Sequence, residues 1–134
     1  EHLALIKGII SLDDTVLVRM HALNVLDDLF NNLDRSSENQ IEKAMNLLEK
    51  EEKGIFVLIR ENRLDHLSSS ILKKTIPKKK ESNDTVGELR DYGVGAQILL
   101  DIGVRNMILL SDTQRNIIGL EGYGLSVTAQ RPIN

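Results

Sequence analysis

Apolar positions along this chain change period several times, and each change marks an element. In residues 15–23, Val16, Val18 and Met20 point to one side and Leu17, Arg19 and His21 to the other, the two-residue period of a strand. Residues 3–10 form a second aliphatic, β-branched run, and Ser11-Leu-Asp-Asp14 separates the two, so the pattern predicts strand, turn, strand. Residues 27–39 are polar and loop-like. Ser37 or Asn39 could then cap a helix whose apolar stripe is Ile41, Ala44, Met45, Leu47 and Leu48. Gly54 ends that helix, and the continuous apolar run 55–59 reads as a fully buried strand.

Residues 61–87 break the periodicity. Serines, lysines and Pro77 dominate, which predicts a flexible loop with at most one helical turn over 64–72. The period then returns to 3.6: Val94, Ile98, Leu99 and Ile102 share one helical face, and Gly103 follows as a C-terminal cap. The apolar run 107–110 predicts the next strand, 111–120 a short helix, and 125–129 a last alternating strand stopped by Pro132. The result is an α/β domain with a mixed sheet and flanking helices.

With 134 residues the chain is long enough for one domain, 1–134, with a single core, and with 3% aromatic residues that core is built from Leu, Ile and Val. A net charge of -3 gives no electrostatic case for nucleic acid or for a membrane surface. No apolar stretch approaches the roughly 20 residues of a membrane span, and no signal peptide is recognisable, so a cytoplasmic location is expected. Cysteine is absent, which excludes disulfides and thiolate metal sites. The start at Glu1 directly before an apolar run reads as a fragment of a longer protein.

Chemistry concentrates at residues 88–95. Arg90, placed before the helix, has the geometry to clamp a phosphate or carboxylate with parallel hydrogen bonds, and Gly93 and Gly95 would let backbone approach a ligand. An Arg90 ion pair with Glu88 or Asp91 on a solvated turn is the blander account and the stronger one on chemistry alone.

The string Arg90-Asp-Tyr-Gly-Val-Gly-Ala-Gln-Ile-Leu99, with Asp101-Ile-Gly-Val104 and Gly119-Leu-Glu-Gly-Tyr-Gly-Leu125, closely resembles the C-terminal part of GTP cyclohydrolase II. It is most similar to the version fused behind 3,4-dihydroxy-2-butanone 4-phosphate synthase in bifunctional riboflavin-biosynthesis proteins. The resemblance implies a zinc held by three cysteines, whose bound water attacks the guanine ring. Here those positions are Asn24, Arg35 and Ser37, which cannot rebuild the site, so no metal cofactor is expected. The family's Gln-Glu-Gly-Arg motif is lost at Glu61-Asn-Arg63, with Asn62 at the guanine-reading position.

Other family positions survive. The resemblance assigns Glu88 to the family's acid/base aspartate and Arg90 to its phosphate-contacting arginine. It makes Arg19, His21, Gln40, Thr85 and Ser111 remnants of the substrate pocket, while the family lysine is replaced by Asn116. The expected function is a degenerate GTP cyclohydrolase II-like domain, kept for structural or regulatory support of an upstream synthase domain, in a homodimer. A module binding a nucleotide or phosphorylated metabolite is the alternative, and an active hydrolase the third.

Overall fold

Strand β2, Thr15–Ala22, is buried on both faces, and everything else packs outward from it. The computed structural model describes residues 1–30, 39–60, 64–75, 83–112 and 120–134, with 73–75 and 83–89 described by backbone alone. The five strands are β1 (Leu3–Lys7), β2, β3 (Gly54–Ile59), β4 (Asn106–Leu110) and β5 (Ser126–Arg131). They form one mixed sheet in the order β1-β3-β2-β4-β5. The helices are α1 (Val25–Phe30), α2 (Gln40–Glu49), α3 (His66–Thr75) and α4 (Asn83–Ile102).

The alternation read from residues 15–23 decides which helix lies where. Val16, Val18 and Met20 join Ile55, Val57, Ile59, Met107 and Leu109 in a core closed by Ala96 and Leu99 of α4. Leu17 joins Phe56 and Leu110 on the other face, where Ala44 and Leu48 of α2 close a second, smaller core. Side chains of a strand point alternately to the two faces, so one eight-residue segment feeds both cores.

Three expectations change. The runs 3–10 and 15–23 flank a turn, held where the Asp14 carboxylate accepts from the Ser11 backbone at 2.8 Å, but they do not pair. Instead β3 inserts between them, antiparallel to β1 and parallel to β2. A continuous apolar run such as Ile55–Ile59 needs neighbours on both edges as well as both faces, and β1, half-exposed, takes the outer position.

The stretch expected to be a loop, 61–87, contains α3 and the start of α4. Its polar residues serve the helix locally: the Ser70 hydroxyl donates to the His66 carbonyl at 2.8 Å and Ser69 to the Asp65 carboxylate at 3.2 Å. Composition alone hides such bonds. Arg90 accordingly sits within α4 rather than before a helix, and Gly93 and Gly95 lie inside it. Their missing side chains admit protein, not ligand: a Cβ at Gly95 would lie 3.1 Å from Met20 Sδ and 3.3 Å from Ile59 Cδ1, and one at Gly93 would meet the Tyr123 ring. The helix expected over 111–120 falls mostly outside the described residues. In β5 the register shifts between Met107 and Ile108, leaving Thr128 as an extra residue in a strand the sequence pattern treats as regular.

The end of α4 follows its sequence signal. Gly103 adopts φ +105°, its N–H donates to Leu100 O at 3.1 Å, and the Val104 N–H donates to Leu99 O at 3.0 Å. Leu99, four residues before Gly103, and Val104, one after it, are both fully buried, completing a Schellman cap. Nothing lies within 4 Å of a Cβ built at Gly103, so only the left-handed backbone opposes a side chain there. Gly103→Ala is expected to lower the unfolding free energy by about 1–2 kcal/mol in urea titration, with an unchanged m-value.

Candidate functional site

β2 and β4 are parallel neighbours, β2 runs on through Met20–Ala22 past the level where β4 ends, and the chain leaves the two strands towards opposite faces. After β2 it passes to α2 on the smaller-core face; after β4 it returns through Leu120 and Leu125 to the larger-core face. Adjacent strands whose exits diverge leave a crevice at their carboxyl ends, the usual ligand position of an open α/β sheet. A cleft of about 380 Å³ occupies that position.

Arg19, His21, Gln40 and Ser111, four of the residues singled out from sequence, line this cleft together. Arg19 and His21 share a face because they are two residues apart in β2; Ser111 is the first residue after β4, and Gln40 opens α2 behind the Asn39 cap. Arg90 is exposed on α4 and is not among the lining residues; its neighbours Asp91 and Tyr92 are. Thr85 and Glu88 fall on α4, with side chains outside the described residues, as are Arg35, Ser37, Asn62 and Asn116 altogether. Asp112 and Ile133, which sequence reasoning passed over, complete one wall. Asp112 accepts from the Ile133 N–H at 2.8 Å and from the Asn134 side chain at 3.0 Å, so it fixes the last residues against the cleft.

Arg19 dominates the electrostatics. Its Nη1 donates to the Leu110 carbonyl at 3.1 Å, its Nη2 lies 3.4 Å from His21 Nδ1, and its buried Nε has no partner among the described residues. Burial pulls its pKa down, while the charges of Tyr92, Asp112 and Asp28 push it up. An arginine starts so far above neutrality that it stays cationic. A guanidinium carries five N–H donors, and among the described residues two acceptors face it, the Leu110 carbonyl and His21 Nδ1, so the cleft offers hydrogen bonds to an acceptor-rich ligand.

His21 and Asp28 form the second contact, missed from sequence because Asp28 lies in a stretch that reads as polar loop. His21 Nε2 is 3.0 Å from both carboxylate oxygens of Asp28. Asn24, one residue before α1, donates from Nδ2 to Asp27 at 2.8 Å, and its backbone N–H donates to Asp28 at 3.0 Å.

The described residues do not fit a zinc ion. Asn24 stands where the resemblance puts a thiolate, and its amide is committed to the start of α1; both His21 ring nitrogens already face partners. Among the described residues no group of three or more His, Cys, Asp or Glu is placed to hold a metal. None of the described helices is long and apolar enough to cross a membrane.

Comparison with known proteins gives a consistent result. The model of the family described as GTP cyclohydrolase II matches residues 1–132. The chain is 39% identical over 140 residues to the riboflavin biosynthesis protein RibBA of Chlorobium phaeovibrioides, covering 98% of this chain and 34% of that protein. It is 39% identical to RibBA of Aquifex aeolicus, covering 99% of this chain and 35% of that protein. It is 36% identical to the monofunctional riboflavin biosynthesis protein RIBA 2, chloroplastic, of Arabidopsis thaliana, covering 99% of this chain and 28% of that protein. The chain thus spans about a third of the length of these relatives.

As the residue that starts α1, Asn24 has a structural role that can be measured. Asn24→Ala is expected to cost about 1 kcal/mol in chemical denaturation, the usual loss for a helix cap; Asn24→Ser, which keeps a neutral acceptor and a donor beside Asp27, should cost less.

Proposed function

The chain belongs to the GTP cyclohydrolase II family, and from that premise we propose that it is a catalytically degenerate member. It is a GTP cyclohydrolase II-like domain of riboflavin biosynthesis, and its proposed role is structural or regulatory support of an upstream 3,4-dihydroxy-2-butanone 4-phosphate synthase domain in a cytoplasmic homodimer. The observation that carries this reading is Asn24. The position that should hold a metal thiolate instead starts a helix, with its side chain engaged by Asp27. Arg35 and Ser37 at the other two positions offer a cation and a weak neutral oxygen. Opening the guanine ring requires an activated water. A carboxylate at Glu88 could accept a proton, but it does not bring the pKa of water near neutrality as a metal does.

A second reading draws on Arg19: a buried cation with surplus donors, in a cleft that keeps Gln40 and Ser111, suits a purine nucleotide or a phosphorylated metabolite. The two readings are compatible, since a domain that has lost chemistry can still report ligand level to its neighbour.

Metal analysis of protein purified without chelators, paired with a GTP turnover assay on the same sample, tests the first reading. The expected result is no stoichiometric zinc and no release of formate or pyrophosphate; stoichiometric zinc with turnover would overturn it. Titration calorimetry tests the second. GMP is expected to bind, and Arg19→Met to weaken it about tenfold or more, the equivalent of one charged hydrogen bond; absence of heat with GTP, GMP, flavin nucleotides and ribulose 5-phosphate would remove that reading.

A further inference from the structure

We propose that Asp28 is a positioning residue, which through His21 holds the Arg19 guanidinium in the wall of the cleft; its consequence for binding rests on the nucleotide-binding reading above. An ionised carboxylate can only accept hydrogen bonds and a guanidinium can only donate them. His21 stands between the two, with Nε2 at 3.0 Å from both Asp28 oxygens and Nδ1 at 3.4 Å from Arg19 Nη2. Nε2 must therefore carry a hydrogen and Nδ1 a lone pair. Only the neutral Nε2–H tautomer meets both demands, and Asp28 selects it.

Each end of this chain is anchored to backbone. Asp28 Oδ2 accepts the Asn24 N–H at 3.0 Å, and the Asp28 N–H donates to the Asn24 carbonyl at 2.8 Å, so the carboxylate is fixed to the first turn of α1. At the far end the Leu110 carbonyl takes Arg19 Nη1 at 3.1 Å. The guanidinium is thus held by one acceptor from β4 and one from β2, and its remaining hydrogens stay available for an acceptor oxygen of a purine nucleotide. A ligand meeting a side chain already ordered loses less conformational entropy on binding. Asp28 touches no ligand in this scheme; it acts two side chains away, as the partners behind a binding group commonly do.

The test uses nitrogen NMR of the ring and guanidinium groups, together with GMP titration of the same proteins. In the unmodified protein at pH 7, His21 is expected as the Nε2–H tautomer, and Arg19 is expected to give separate, slowly exchanging Nη signals. His21→Leu should merge those signals, and Asp28→Asn and His21→Leu should each weaken GMP binding about tenfold, as loss of such a supporting partner does. His21→Gln retains one donor and one acceptor and should keep both the signals and the affinity within about twofold, far from that loss; it keeps the test open if either other variant fails to fold. An Nδ1–H or doubly protonated His21, or unchanged GMP affinity in both Asp28→Asn and His21→Leu, would overturn the proposal. A protein with the expected tautomer and separate Nη signals that binds no GMP would uphold the positioning chain and remove the nucleotide reading instead.

Discussion

Burial of β2 on both faces and both edges is the constraint from which the rest of this domain follows. Val16 and Val18 are fully buried against α4's face of the sheet, Leu17 is buried against α2, β4 pairs along Thr15–Val18 and β3 along Leu17–Ala22. The strand runs on past the end of β4, so its last residues border the opening between the two helical layers, with Ala22 exposed. Arg19 and His21 are therefore carried to the point where the layers part, and the cleft is a consequence of topology before it is a matter of side-chain chemistry.

Placing a cation at that point has a cost that the surrounding structure offsets in part. Arg19 is partly withdrawn from water, which lowers its pKa, and the Leu110 carbonyl with Tyr92, Asp112 and Asp28 offsets that in part. Those groups come from β4, α4, α1 and the segment after β4, so the arginine also ties distant parts of the chain to one locus. Among the described residues no group of three or more His, Cys, Asp or Glu at this locus is placed to hold a metal. Around Asn24 the polar groups are satisfied by Asp27 and Asp28. Sheet, helices and cleft depend on aliphatic packing, which Asn24 does not touch.

Much of this was legible in the residues. The alternation in residues 15–23 placed Arg19 and His21 on one face, and the periodicity ending at Gly103 located the end of α4 and its cap, because period and capping are local properties. The insertion of β3 between β1 and β2 was not legible, since strand pairing is decided between segments far apart in sequence. Nor was α3, whose serines bond to their own helix while their composition suggests a loop. Gly93 and Gly95 read as openings for a ligand; only the packed structure revealed Met20, Ile59 and Tyr123 against them.

By itself, then, the sequence determined the kinds of elements, their faces, the family and the loss of every thiolate, because each rests on residue type and short-range spacing. Tertiary structure alone decided that Arg19, His21, Gln40 and Ser111 share one cleft, that Arg90 stands outside its lining, and that Asp28 stands behind His21. The physical reason is that convergence at a site depends on strand order and on which face each connection takes. These are set by burying the aliphatic surface of the whole chain at once, and no local window contains that information.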